Sequence, residues 1–239
     1  MPGSVLKAGA RKLITENMPR IVVVSLVYVF AGTLLAWLLF SFPKSVSFNM
    51  QDINARLASG EIPGFRLLYT GFRPIGDILA VLLFLLQPIL DIGFISYCVK
   101  VNRHQKTELK DLLNGFLFVF KVISIFIVTT VFVFLWSMLF IIPGIVASYK
   151  YRLAYYILLD DPQKSALVCI AESTRLMHGR KLDLLILDLS FLGWYALDLL
   201  IIMLIPLPFA LPLVSIWLSP YVGLTRAAFY ESQIANVAV

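Results

Sequence analysis

A small set of charged or strongly polar side chains interrupts the long apolar stretches of this sequence. Such groups are costly to place in hydrocarbon, so those that occur there tend to mark a ligand site, a proton path or a pair between helices. The candidate intramembrane polar cluster consists of Gln87, Asp91, Lys150, Arg152, Asp188 and Asp198. Gln87 and Asp91 are four residues apart, which places them on one face of a helix, next to the kink expected at Pro88.

This cluster permits two interpretations. In the first, its four members nearest the N-terminus line a polar pathway for a substrate or a proton. In the second, the charges form pairs between helices that fix the packing, while Lys121 and Arg226 extend to the membrane surface. We favour the second, because pairs between helices are the ordinary use of such charges. The tyrosines at positions 149, 151, 155 and 156 allow the same choice between cavity lining and packing, and packing is again favoured.

The other residue types that could do chemistry lack partners at a useful spacing. The sequence contains neither a GxxxxGK[ST] nor a GxGxxG phosphate loop, and no serine lies between the glycines of a nucleophile elbow. His104 and His178, like Cys98 and Cys169, have no neighbours at metal-ligand spacing. We therefore expect no catalytic residues, no metal and no cofactor, and we expect that the chain is not an enzyme.

Composition indicates the medium that surrounds these side chains. Residues of the AVILMFWYC set make up 60% of the 239 residues and charged residues only 14%, against about 25% charged residues in soluble proteins. A soluble globule has too little polar surface to cover that apolar content, and the same content excludes disorder. The net charge of +6 then indicates contact with the anionic lipid bilayer rather than with nucleic acid.

Apolar runs of hydrocarbon length define the predicted fold. It is all-α, a polytopic membrane helix bundle with about six transmembrane helices, forming a single membrane domain over residues 1–239. The spans are predicted at 21–42, 75–99, 116–142, 145–159, 184–205 and 209–229. The run 145–159 is the shortest, and it is either a short tilted helix or a re-entrant segment.

The distribution of Lys and Arg predicts the orientation of these spans. Most of these residues outside the spans fall on one side, which places both termini in the cytoplasm of a bacterial cell, with the protein in the cytoplasmic membrane. Residues 1–20 form a cytoplasmic N-terminal segment and residues 43–74 an outward loop. Segments near 107–114 and 162–178 are predicted as short cytoplasmic interfacial helices, the second ending at a left-handed Gly179.

Several motifs in the second half of the chain resemble one family. They are FLWSMLFIIPGIVASY at 134–149, AYYILLDDP at 154–162, AESTRLMHG at 171–179, LSFLGW at 189–194, WLSPY at 217–221 and AFYE at 228–231. In this order they resemble the bacterial integral-membrane family catalogued as domain of unknown function 975, which is distantly similar to the membrane domain attached to some glycerophosphodiester phosphodiesterases. The resemblance implies a multi-pass bacterial membrane protein of unassigned activity, and it supplies no catalytic residues. Lys150 and Arg152 are more basic than the family pattern leads us to expect.

Three functions remain open on this sequence. The favoured hypothesis is a non-enzymatic scaffold or accessory subunit of a membrane export or envelope assembly, whose partners are the lipid bilayer and another membrane protein or a second copy. The alternative is a small permease that uses the buried charges. The third, an intramembrane enzyme acting on lipid headgroups, has the least support. A cavity that reaches Asp91 and Arg152 would favour the permease, and a packed core there would count against it.

Overall fold

The computed structural model describes residues 3–41, 58–59, 74–204 and 212–237. Within these ranges all regular structure is helical, with no strand. The predicted outward loop at 43–74 lies almost entirely outside the described residues. The α-helices are α1 (Gly3–Glu16), α2 (Arg20–Ser41), α3 (Pro74–Asn102), α4 (Val119–Leu139), α5 (Ile141–Lys150), α6 (Ala154–Asp160), α7 (Ala166–Leu176), α8 (Lys181–Leu189), α9 (Leu192–Leu204) and α10 (Leu213–Val237), with a 3₁₀ helix (Leu109–Phe118) between α3 and α4.

Four helical stretches of the described chain are long and apolar enough to cross a membrane. They cover Arg20–Leu39, Ile75–Asn102, Leu109–Leu139 and Lys181–Leu204. Each overlaps one of the predicted spans, and their length and composition are compatible with membrane insertion. The remaining two spans, at 145–159 and 209–229, correspond to the broken pair α5 and α6 and to the more polar α10, so the total of about six crossings stays a prediction.

The chain divides into two compact units, residues 32–87 and the remainder. Within residues 32–87, Gly32 faces Gln87: a Cβ atom on this glycine would lie 3.8 Å from Oε1 of that side chain. Within the other unit, α1 packs along α10 and buries Leu6, Leu13 and Ile14. The predicted N-terminal segment is therefore an amphipathic helix that belongs to the core of this unit.

Glycines allow the 3₁₀ helix to lie directly against α3. A Cβ atom at Gly93 would lie 1.9 Å from the carbonyl oxygen of Leu112, and one at Gly115 would lie 1.9 Å from that of Ile89. No side chain fits at either distance, so the two backbones touch only because both positions are glycine. The segment near 107–114 thus packs closely against α3.

Helix α7 packs one face against the rest of the unit and leaves the other face exposed. Its N-cap is Ser165, whose side chain accepts a hydrogen bond from the Val168 amide, so the helix predicted near 162–178 begins at Ala166. The serine hydroxyl caps the first turn. Cys169 and Ser173 are buried on the inner face. The predicted left-handed Gly179 is confirmed, with φ of +74°.

Candidate functional site

The predicted span 145–159 is interrupted by a turn at residues 151–153, between α5 and α6. The hydroxyl of Ser173, on α7, lies in this break. It accepts a hydrogen bond from the Leu153 amide (3.1 Å) and donates one to the Lys150 carbonyl (2.9 Å). An inserted side chain is a recognised cause of an interrupted helix, and it satisfies the backbone groups that the break frees.

The break presents Arg152 to a partly open cavity between the helices. The residue lies in the turn between the two helices and its side chain is exposed. Within the part of the chain that the structure describes, its guanidinium makes no hydrogen bond or ion pair. An arginine carries five N–H donors and a permanent charge, so this group retains a full capacity to bind an anion.

The cavity has a volume of about 650 Å³ and lies wholly within the larger unit, between α2, α3, α4, the α5–α6 pair, α9 and α10. This volume lies in the range of about 300–1,000 Å³ that is typical of small-molecule sites. Part of its wall is apolar, formed by Phe94, Ile95, Phe126, Val133, Phe134 and Val222. The rest is formed by hydroxyl groups and by three ionisable side chains, Asp91, Arg152 and Arg226.

Asp91 has a fixed hydrogen-bond partner in the cavity wall. The hydroxyl of Tyr28 donates to its Oδ1 at 2.8 Å. The Tyr28 ring is in turn stacked on Phe94, with the ring centroids 4.2 Å apart. The carboxylate is therefore held in one position by an aromatic pair on α2 and α3.

Arg226 is neutralised by a neighbour on α8. Its Nε lies 3.0 Å from Oδ1 of Asp188, and the Tyr149 hydroxyl donates to Oδ2 of the same carboxylate at 3.3 Å. Both side chains are largely buried, with 25% and 13% of their surfaces exposed. Arg226, predicted to extend to the membrane surface, instead forms the kind of pair between helices that the packing interpretation describes.

The other members of the predicted cluster do not line the cavity. Asp198 is buried and accepts hydrogen bonds from the Val214 amide (3.0 Å) and the Ser215 hydroxyl, so it caps the first turn of α10. Lys150 places its ammonium 5.3 Å from the centroid of the Tyr151 ring and does not line the cavity. Gln87 belongs to the smaller unit.

The structure thus brings Asp91 and Arg152 to one cavity and assigns Asp188 and Asp198 to fixed partners. Tyr151, Tyr155 and Tyr156 also line the cavity. The sequence favours packing between helices for these tyrosines, whereas the structure places them in the cavity wall. Tyr28, Tyr195 and the hydroxyl groups of α4 were missed, because a tyrosine or threonine in an apolar run carries no signal that separates lining from packing. Among the described residues, no three His, Cys, Asp or Glu side chains are placed to hold a metal ion.

Ion pairs and a hydrogen bond connect the C-terminal ends of α3 and α6 with α10. Arg103, just beyond α3, contacts Asp160 at the end of α6 (2.8 Å) and Glu231 on α10 (2.7 Å). The Tyr230 hydroxyl also donates to Asp160, at 2.6 Å. The hydrogen bond to Asp160 is the main cause that raises the pKa of Arg103, followed in the same direction by the bond to Glu231. This end of the bundle is therefore clamped across three helices.

Comparisons with known proteins give one match. No curated protein and no solved structure matches the chain. Residues 138–236 match the family model described as "Protein of unknown function (DUF975)", and this match supports the resemblance that the motifs between 134 and 231 indicate.

Proposed function

We propose that this chain is a small membrane permease whose solute occupies the cavity at Asp91 and Arg152. The observation that carries the proposal is the cavity itself: about 650 Å³ of space lies between helices where a scaffold would need only packed side chains. A dry, filled core around these two charges would have favoured the scaffold or accessory subunit. The empty space and the Arg152 guanidinium, which has no partner among the described residues, favour the permease.

A lipid environment is supported by the outer surface of the bundle. Large apolar side chains on and beside α4 lie open to the surroundings, among them Leu117 (73% exposed), Phe120 (87%) and Met138 (71%). Surface of this kind is stable against hydrocarbon and unfavourable in water. We propose insertion in a bacterial cytoplasmic membrane with six crossings, in which α5 and α6 together make the broken fourth crossing and both termini are cytoplasmic.

We also propose that the chain acts without catalysing a reaction. Among the described residues that line the cavity there is neither a histidine nor a cysteine, so no serine or threonine hydroxyl there has an imidazole beside it as a base. Membership of the whole chain in the matched family, and the distant likeness to the membrane domain of some glycerophosphodiester phosphodiesterases, stay predictions.

The test is side-specific labelling of a single cysteine in the cavity. Thr130 lines the cavity, whereas Val131, the next residue of α4, does not. We would introduce Thr130→Cys and, as the matched control, Val131→Cys, each in a variant whose buried Cys98 and Cys169 are replaced by alanine. The protein is reconstituted in lipid vesicles and treated with a charged, membrane-impermeant methanethiosulfonate, applied first outside and then inside.

A permease exposes its site to each side in turn. Thr130→Cys should therefore react from both sides, at least about tenfold faster than Val131→Cys, because a thiol ionises in water and stays protonated in hydrocarbon. Labelling from one side only, or equal rates at the two positions, would contradict the permease.

A further inference from the structure

We infer that the solute of this cavity is an amphipathic anion, whose anionic group binds Arg152. The inference rests on the proposed function and names the class of its substrate. It combines two features of the cavity: a guanidinium that makes no hydrogen bond or ion pair with the described residues, and an apolar wall.

The sign of the ligand's charge is inferred from the charged side chains of the cavity. Two of them already have partners, and the third is the cation Arg152. Asp188 neutralises Arg226 at 3.0 Å, and Tyr28 donates to Asp91 at 2.8 Å. The guanidinium of Arg152 has neither kind of partner within the described residues. The planar fork of a guanidinium matches the two oxygens of a carboxylate or a phosphate, so Arg152 can bind either group with two hydrogen bonds.

The apolar residues of the cavity wall indicate that the ligand also has an apolar part. Phe94, Phe126 and Phe134 contribute rings, and Ile95, Val133 and Val222 contribute aliphatic groups. Burial of apolar surface against such a wall strengthens binding by about fourfold for each added methylene group. A small anion without an apolar tail, such as inorganic phosphate, would leave this surface unused.

The experiment measures binding of octanoate to the full chain in nanodiscs of zwitterionic lipid, by calorimetry, with protein-free nanodiscs subtracted. Hexanoate, octanol, octylamine and inorganic phosphate are titrated in parallel. The variants are Arg152→Gln, Arg152→Lys and, as the matched control, Arg175→Gln, which removes an exposed arginine that does not line this cavity.

Octanoate should bind the parent chain, with hexanoate roughly sixteenfold weaker because it lacks two methylene groups. Octanol, octylamine and phosphate should bind at least about tenfold more weakly than octanoate, which is the discrimination that one charge-assisted pair supplies. Arg152→Gln should lose octanoate binding by a similar factor, Arg152→Lys should retain part of it, and Arg175→Gln should match the parent. Tighter binding of octylamine or octanol, or full binding by Arg152→Gln, would overturn the inference.

Two further measurements distinguish an error in the ligand class from an error in the proposed permease function. Octanoate should slow the labelling of Thr130→Cys; labelling from both sides without octanoate binding or protection would refute the ligand class and leave the permease standing. Repeating the titration with phosphatidylglycerol nanodiscs, at a salt concentration that screens the membrane surface, distinguishes the source of the anion. Unchanged affinity indicates a free solute, and competition indicates a lipid, each of which is consistent with an amphipathic anion at Arg152.

Discussion

Replacement of Ser173 by alanine removes the side chain that bridges the break between α5 and α6. Ser173 is fully buried, and its hydroxyl bonds to both the Leu153 amide and the Lys150 carbonyl. Each buried backbone group left without a partner costs about 1–3 kcal/mol. Since the turn can relax in part, we expect the free energy of unfolding to fall by roughly 2–4 kcal/mol.

This loss can be measured by steric trapping of the unfolded chain in bicelles. The matched control is Thr174→Ala, the next position of α7, whose hydroxyl makes no hydrogen bond within the described residues; we expect a change within about 0.5 kcal/mol there. Octanoate affinity should also fall in Ser173→Ala, because the turn that carries Arg152 loses its support. A Ser173→Ala variant as stable as its Thr174→Ala control would refute the view that this hydroxyl maintains the break.

Two further substitutions test the packing with the same assay. Gly93→Ala places a Cβ atom 1.9 Å from the Leu112 carbonyl oxygen and should destabilise by about 1–3 kcal/mol or more, whereas Gly9→Ala, with nothing within 4 Å, should stabilise by about 0.5–1 kcal/mol; the same effect at both glycines would contradict the close backbone contact. Arg226→Met leaves Asp188 without its cation and should cost about 3–5 kcal/mol, much of which the double variant with Asp188→Leu should recover; additive losses would show that the two side chains are not coupled.

The helical, apolar character of the chain could be predicted from the sequence because it depends on local composition. Runs of hydrocarbon length without charge, such as the one that forms α2, have only one stable arrangement in a bilayer. The left-handed conformation of Gly179 could be predicted equally well, because a glycine that follows an amphipathic helix is a local signal. These features depend on residues that are near one another along the chain.

The break at Arg152 could not be predicted, because its cause lies elsewhere in the sequence. Ser173 is twenty positions from Leu153, and a serine in an amphipathic helix gives no sign that it enters another helix. The pairing of Arg226 with Asp188 has the same origin, since it depends on which faces of α8 and α10 meet. Hydrophobic periodicity identifies helices; it does not identify which polar side chains face each other.

The preference between scaffold and permease depends on the same long-range contacts. In the sequence, charges that pair and charges that line a cavity are equivalent, so the sequence favours the commoner use. In the folded chain Asp188 and Asp198 have partners on α10, while Arg152 has none among the described residues. That difference appears only once the helices are assembled, and it is what favours a permease over a scaffold.

The most direct test of the central claim is a crystal structure of the full chain with 8-bromooctanoate. The account predicts an anomalous bromine peak inside the cavity, beside Phe126 or Phe134, with the carboxylate within hydrogen-bond distance of the Arg152 guanidinium. A cavity closed by side chains, or a bromine found only on the lipid-facing surface with Arg152 paired to a protein carboxylate, would contradict it.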